Sequence, residues 1–502
     1  MTEHHLRLAA VDLGAESGRV ALGRFDGDRI ELEIGHRFAN RPLNLPDGIH
    51  WDLPALYRES LHGLAAAAAQ APLDGVGIDT WGCDYALLRG ERMLGLPFHY
   101  RDARITSAIL QRGAMRLPPE EHYRLTGIQD MPINTTYQLL AEPEEVLGLA
   151  DRIALIPDLL GLWMSGELRT DVTAASTTGL LEVGGQCWSA EVLAALGLPC
   201  DPFRSALVEP GTVIGALRPE CGTALSGTKL YAVASHDTAS AFVAAPLAGE
   251  ESAVLSSGTW SLLGVELPGA CITEQSRAEN LSNERGIDGT IRLLRNVMGL
   301  WLLQECRRSW VAEGSDLDYG SLLDLARGAN PEGPLIDPDH PTLLGAGSMP
   351  ERIRQLCLAT GQRPPEDRAA LVRTILTSLA CKYRTVLGQL QSAVERPLRQ
   401  INIVGGGAHN TLLCQLTADL TGLPVVAGPA EATALGNLLV QVRAVAAIPS
   451  LAQLRELARN SVQLRHYEPS GLGPDDELYE RFLAVTTAQT SAAMVAAAQE
   501  RS

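Results

Sequence analysis

Basic charge is scarce in this 502-residue chain: 41 lysines and arginines stand against 59 aspartates and glutamates, a formal net charge of −18. That balance argues against a general nucleic-acid binder, which normally shows a basic face. No uncharged apolar run reaches the roughly 18 residues that a membrane helix needs. Leu61–Gln70 is Ala-rich but short, the pattern of a packed helix. The opening Met-Thr-Glu-His-His lacks the basic-then-apolar grammar of a secretory signal. The nine cysteines, from Cys83 to Cys414, are scattered and form no C-x-x-C pair, so neither a disulfide framework nor a zinc site is expected. The P-loop pattern G-x-x-x-x-G-K-[ST], the metalloenzyme pattern H-E-x-x-H and the nucleophile elbow G-x-S-x-G are also missing. What survives is a cytoplasmic enzyme or small-ligand binder, monomeric or a small homo-oligomer, with no membrane or nucleic-acid partner.

Hydrophobic residues make up 46% and charged residues 20%, as in an ordinary globular protein. At about 150 residues per domain, the length allows two to four domains. One pattern recurs: an apolar strand, a turn of small polar residues, then a second apolar strand. It spans Leu8–Leu22, with the turn at Asp12–Arg19, and again Ala253–Glu266, with the turn at Ser256–Thr259. Asp74–Leu88 reads as strand, turn, strand, and Lys229–Val243 as a strand leading through His236-Asp237-Thr238 into a helix. Arg399–Leu420 reads as strand, triple glycine and helix, and Leu423–Val440 as another strand and helix. Strands alternating with helices predict an α/β architecture. The turn-rich stretch Ala245–Glu250 marks the expected boundary, giving domains 1–245 and 246–465 and a peripheral C-terminal helix over 466–502.

Several constellations could carry chemistry, and each has a plainer alternative. Asp12 at a strand end, followed by Gly14-Ala15-Glu16-Ser17-Gly18-Arg19, could hold Mg²⁺ through water while turn N–H groups meet phosphate oxygens; a tight hairpin with a solvated aspartate is the alternative. Ser256-Ser257-Gly258-Thr259 offers hydroxyls and N–H groups to a phosphate, or is another polar hairpin. Gly405-Gly406-Gly407 permits close backbone approach to a ring or phosphate, or is a close-packed turn; it does not fit G-x-G-x-x-G. Asp237, after a buried strand and before a helix, could accept the proton of an attacking hydroxyl or simply cap the helix. Asp79-Thr80-Trp81-Gly82 and Asn296–Trp301 set polar groups beside aromatic rings, which suits a sugar or a core.

The chain resembles the FGGY family of carbohydrate kinases. The resemblance rests on AVDLGAESGRV (10–20), GIDTWGCDYALL (77–88), YRDAR (100–104), VASHDTASA (233–241), LSSGTWSLLG (255–264), NVMGLWLLQ (296–304), IVGGGAHNTLLCQL (403–416) and AGPAEATALGN (427–437). YRDAR, SHDTAS, SSGTWSL and MGLWLLQ, in that order, are similar to the branch that acts on L-rhamnulose. The resemblance implies two ribonuclease-H-like (actin-like ATPase) domains flanking a catalytic cleft, with ATP and a ketose as partners and Mg²⁺ as cofactor. It implies γ-phosphoryl transfer from ATP to the 1-hydroxyl of L-rhamnulose, with Asp237 as general base. Ala15, Glu16, Ser17, Gly18 and Arg19 would contact the phosphates and Asp12 the metal. Thr259, Gln304 and Gly406 would complete the nucleotide site, and Gly82, His236, Asp237, Thr238 and Asn296 the sugar site. Glu16 departs from the family, which tends to carry a small hydroxyl residue there. Residues 311–370 carry no transferable motif. Two other readings stay open: a kinase of another ketose such as L-fuculose or L-xylulose, and a non-catalytic sensor of nucleotide or sugar.

Overall fold

The computed structural model describes residues 5–471 and 475–499. The chain forms two compact units that are not successive halves. The first runs to Pro246 and adds Val265–Leu294 and Glu431–Gln463; the second comprises Leu247–Gly264, Arg295–Ala430 and the chain from Leu464 onward. Segments 265–294 and 431–463 therefore fold with the N-terminal unit, where the sequence alone gives the successive spans 1–245, 246–465 and 466–502.

The first unit is built on a six-stranded sheet. Its order is Val213–Ala216, Lys229–Tyr231, Gly75–Thr80, Leu6–Leu13, Ser17–Phe25, Ile30–Ala39. The last three strands are an antiparallel meander. Gly75–Thr80 runs parallel to Leu6–Leu13, and Lys229–Tyr231 parallel to Gly75–Thr80. Burial reads off the sequence pattern: Leu8 to Leu13 are all buried, as a central strand covered on both faces requires, whereas Ile30–Ala39 alternates out to a solvated face. Helix Leu53–Gln70, started by the Asp52 carboxylate accepting from Ala55 N–H at 3.1 Å, packs on the meander. Tyr85–Arg89 leaves the main sheet and pairs with Arg152–Leu155.

In the second unit, Ser252–Ser257 pairs antiparallel with Trp260–Leu267 and parallel with Gln400–Val404, which pairs parallel with Val425–Ala427. Arg465–Tyr467 closes that edge antiparallel. The plan of the first sheet, a hairpin whose first strand continues into parallel neighbours, is thus repeated, as the expected ribonuclease-H-like α/β fold requires. The 27-residue helix Arg368–Val394 packs against Thr411–Thr421 and buries a continuous apolar side from Leu371 to Leu390. The motif-free stretch holds helices Tyr319–Arg327 and Met349–Ala359. A C-terminal helix runs over Asp476–Gln499; residues 472–474 and 500–502 of the expected 466–502 segment lie outside the described residues. No described helix is long and apolar enough to cross a membrane, and the nine cysteines are free thiols.

Helix Ala432–Ala446 decides where the first unit's chemistry sits. It packs on Leu6–Leu13, on Gly75–Thr80 and on helix Asp237–Ala244. The two helices touch backbone to backbone at Gly436, where a Cβ would stand 1.8 Å from the carbonyl oxygen of Ser240. Gly436→Ala must push the helices apart and is expected to lower unfolding free energy by about 3 kcal/mol, the upper range for overpacking. Denaturant unfolding checks this; an unchanged midpoint would mean the contact yields without cost.

Candidate active site

The turn between the first two strands is short. Pairing continues to Leu13 opposite Gly18, so the turn itself is Gly14–Glu16, and Asp12 and Arg19 are facing sheet residues rather than turn residues. Gly14 N–H donates to Ser17 O at 3.0 Å. Asn40 ties the turn down: its Nδ2 donates to Gly14 O at 2.9 Å and its N–H to Glu16 O at 3.0 Å. Gly18 is required by packing, because a Cβ there would meet the Phe38 ring at 2.3 Å. Ala15, Glu16, Ser17, Gly18, Arg19 and Asp12 are therefore held together on one rigid hairpin.

Asp12 is not a solvated aspartate. It is 1% exposed and paired with Arg19, whose Nη2 donates to Oδ1 at 3.1 Å and whose Nε lies at the ion-pair distance of 3.0 Å from Oδ2 without a hydrogen bond to it. Parallel pairing sets Asp79 beside Asp12 on the neighbouring strand end. Asp79 is fully buried; its Oδ2 accepts from Asn437 Nδ2 at 2.6 Å, and its Oδ1 has no hydrogen-bond partner among the described residues. Burial pushes Asp12 up to about 6 against the pull of Arg19, with the charges of Asp237 and Glu431 adding to the rise. Burial likewise raises Asp79 well above the carboxylate range, reinforced by Asp12 and Asp237. Arg19 also pairs with Glu431, Nη1 to Oε2 at 3.0 Å, and Arg37 holds the other oxygen of Glu431 at 2.7 Å. In this structure, the Arg19 charge is engaged by protein carboxylates.

Asp237 opens helix Asp237–Ala244, one position inside the cap, which is His236. The capping alternative thus takes a different form: Asp237 Oδ1 accepts from its neighbour Thr238, from N–H at 2.6 Å and from Oγ1 at 3.1 Å. His236 Nε2 lies 3.3 Å from the same oxygen. The Asp237 side chain is 31% exposed. The preceding loop is fixed from beneath: Asp171 Oδ1 accepts from Ser235 N–H at 3.0 Å, Thr173 Oγ1 from His236 N–H at 3.3 Å, and Ser235 O from Thr80 N–H at 2.9 Å. Gly82 sits in the loop after Thr80, where a Cβ would meet Thr177 Oγ1 at 2.8 Å. The next residue, Cys83, is left-handed with φ 73°. Gly82, His236, Asp237 and Thr238 therefore belong to one buttressed surface of the first unit.

The tryptophans resolve toward packing. Trp81 is 6% exposed and packs against Trp51 with ring centroids 3.9 Å apart and the rings tilted by 32°. Both indole N–H groups donate to Asp84 Oδ2, at 3.0 and 2.6 Å, which also accepts from Tyr100 N–H at 3.2 Å. Gln138 Nε2 donates to Asp84 Oδ1 at 2.7 Å. Burial raises Asp84 to about 6, with these donors working against it. Trp301 is buried too, its indole N–H donating to Leu343 O at 3.2 Å.

In the second unit, the hairpin turn Gly258-Thr259 is docked on the start of helix Trp301–Ala312: Leu300 N–H donates to Gly258 O at 2.9 Å and Trp301 N–H to Thr259 O at 3.1 Å. Gln304 lies one turn along this helix, with its buried Oε1 accepting from none of the described residues. The glycine loop divides in role. Gly407 is packing, since a Cβ there would lie 2.0 Å from Ser257 Oγ, while Gly406 is exposed with nothing near its Cβ position. A short 3₁₀ turn, Gly406–His409, separates the loop from helix Thr411–Thr421, which Asn410 caps. Asn296 lies half-buried in strand Ile291–Met298. Thr259, Gln304, Gly406 and Asn296 are thus all second-unit residues.

Sequence reasoning missed Asp79, Asn437 and Glu431 as partners of the Asp12–Arg19 pair. Asp79 carried a readable signal, an aspartate ending an apolar strand as Asp12 does. The other two stand over 350 positions away from Asp79 and Arg19 and carry none.

The pattern defining the FGGY family of carbohydrate kinases matches twice, with its N-terminal domain over residues 9–244 and its C-terminal domain over 253–445. A protein of Bacteroides thetaiotaomicron named rhamnulokinase is 40% identical over 480 residues, 94% of this chain and 98% of that one. A rhamnulokinase of Pectobacterium carotovorum is 40% identical over 493 residues, 96% of this chain and 97% of that one. Among solved structures, gluconate kinase from Lactobacillus acidophilus shares the fold with a TM-score of 0.75 at 16% identity, covering 97% of both chains.

The four donors converging on Asp84 make a substitution test sharp. Asp84→Asn places an NH₂ group against N–H donors and is expected to cost about 2–3 kcal/mol of stability, the penalty of unsatisfied buried donors. Thermal or denaturant unfolding measures it; a wild-type midpoint would contradict the acceptor role.

Proposed function

The chain belongs to the FGGY family of carbohydrate kinases, and we propose that it transfers the ATP γ-phosphoryl group to the 1-hydroxyl of L-rhamnulose. It is an ATP-dependent sugar kinase. The sugar is taken from relatives named rhamnulokinase that match almost the whole chain. Asp237 carries the mechanistic reading: Oδ1 is occupied by Thr238, while the side chain remains 31% exposed. Oδ2 is then the atom that takes the proton of the sugar hydroxyl. As the new O–P bond forms, the bond from the γ-phosphorus to the β–γ bridging oxygen breaks and ADP leaves. Phosphoryl transfer asks little more of the protein than alignment and charge stabilisation.

Gly82, His236, Thr238 and Asn296 are assigned to the sugar. The hairpin Ala15–Arg19 is assigned to the phosphates, and Thr259, Gln304 and Gly406 to the remaining nucleotide contacts. Two details support this: the orphaned Gln304 Oε1 has acceptor capacity to offer, and Gly406 leaves its side of the loop open. The donors around Asp12 fit a hard divalent cation such as Mg²⁺. They are carboxylate oxygens, Asp79 Oδ1 is buried and unpartnered, and the mutual repulsion of Asp12, Asp79 and Asp237 favours added positive charge. Magnesium keeps several waters and phosphate oxygens as ligands, so one or two protein carboxylates are enough to place it. When bound, such a cation supplies charge to offset the transferring phosphoryl group. With its carboxylate already paired to Arg19, Asp12 would meet it through water.

ADP release with ATP, a divalent cation and a panel of L-rhamnulose, L-fuculose, L-xylulose and glycerol tests the proposal. L-rhamnulose is expected to have the highest kcat/KM, and Asp237→Asn to lower kcat by about 10²–10⁴, the range for a lost general base. Higher turnover of another ketose would replace the sugar and leave the chemistry; no sugar-dependent turnover would favour a sensor.

A further inference from the structure

Behind Asp237 lies a buried ion pair that neither the sequence motifs nor the proposed substrate contacts use. Arg292 is fully buried and Glu284 is 3% exposed, and their charged groups meet at 3.2 Å, Arg292 Nη2 to Glu284 Oε2. The guanidinium is fixed further by Nε donating to Arg285 O at 3.1 Å and by lying 5.7 Å from the centroid of the Phe242 ring. Burial works to raise Glu284, but the adjacent Arg292 charge outweighs it and the carboxyl is held at about 2. A buried pair of this kind adds little net stability compared with apolar packing, so its location is what calls for explanation.

The pair faces His236. Arg292 Nη2 sits 3.2 Å from His236 Nδ1 with an N–H directed at it, and Glu284 Oε2 is 3.4 Å from the same nitrogen. Arginine has no acceptor and keeps its protons, so a hydrogen bond between Arg292 and Nδ1 requires Nδ1 to be the acceptor. The ring proton must then be on Nε2, which points to Asp237 Oδ1 at 3.3 Å. That tautomer leaves the Nδ1 lone pair 3.4 Å from Glu284 Oε2, and the Arg292 guanidinium, with Nη2 3.2 Å from both atoms, supplies the positive charge that offsets the approach.

We propose that Glu284 and Arg292 are positioning residues that hold His236 as its Nε2–H tautomer, so that His236 and Thr238 together saturate Asp237 Oδ1 and leave Oδ2 as the proton acceptor. This rests on the reading of Asp237 as general base. It assigns a role to two residues outside the proposed substrate contacts. The order is fixed: Glu284 anchors Arg292, Arg292 donates to Nδ1, and Nε2–H donates to Oδ1. Tautomer control of this kind is a known lever, because the hydrogen bond at one ring nitrogen sets the protonation of the other.

The direct test is NMR of the full chain labelled with ¹⁵N-histidine, with the His236 signals assigned by their loss in His236→Asn. Expected are a pyridine-type signal at Nδ1 and a pyrrole-type signal at Nε2; a protonated Nδ1 overturns the proposal. The double variant Glu284→Gln/Arg292→Gln removes the charged pair without leaving one charge buried alone. It is expected to lower kcat by about 10–100-fold, as loss of outer partners of a site does, with a smaller change in ketose KM and a loss of the single-tautomer signature. A folded double variant with wild-type kcat overturns the proposal, and if that variant does not fold the wild-type tautomer still decides. Should Asp237→Asn remain active, the general-base reading fails on its own, whatever the tautomer.

Discussion

The backbone contact between helix Ala432–Ala446 and helix Asp237–Ala244 is the constraint on which the first unit depends. Only a glycine at 436 lets the helices approach to the point where a Cβ would overlap the Ser240 carbonyl. That approach seats one helix so that Asn437 reaches Asp79 and Gln441 reaches Ala9 O, at 2.6 and 3.0 Å. The residue just before that helix, Glu431, meets Arg19. The other helix begins at Asp237. A single close crossing thus registers the hairpin, the second strand-end aspartate and the proposed base against one another.

The consequence is electrostatic. Asp237 raises the proton affinity of both Asp12 and Asp79, Asp12 raises that of Asp79, and Arg19 offsets the resulting charge only in part. Such confinement of carboxylates costs stability, and it is the environment in which a cation with its phosphate ligands is welcome. On the far side of Asp237, the charge balance is different: Glu284 and Arg292 neutralise each other and act through hydrogen-bond direction.

The legible part of the chain was the local part. Hairpins with small turns, the strand before Asp237 and the glycine loop follow from short-range patterning, and the structure holds each of them. The family motifs placed the kinase chemistry. What sequence reasoning could not reach are partners distant along the chain, since no local rule links Arg19 to Glu431 or Asp79 to Asn437. The return of residues 265–294 and 431–463 to the first unit is unreadable for the same reason. The tryptophans show the opposite limit: a polar–aromatic cluster reads alike for a sugar site and a core, and only the four donors on Asp84 decide for the core. Likewise Asp12 at a strand end reads as solvated until its parallel neighbour and Arg19 bury it.

Identifying the atom that receives the phosphoryl group tests the central claim most directly. Phosphorus–proton correlation NMR of the product formed from ATP and L-rhamnulose reads it without ambiguity. A phosphorus signal coupled to the two C1 methylene protons, absent when Asp237→Asn replaces the wild type, is the predicted result. Phosphate on another carbon, or inorganic phosphate alone, would contradict the assignment of the sugar's 1-hydroxyl as the nucleophile and of Asp237 as its base.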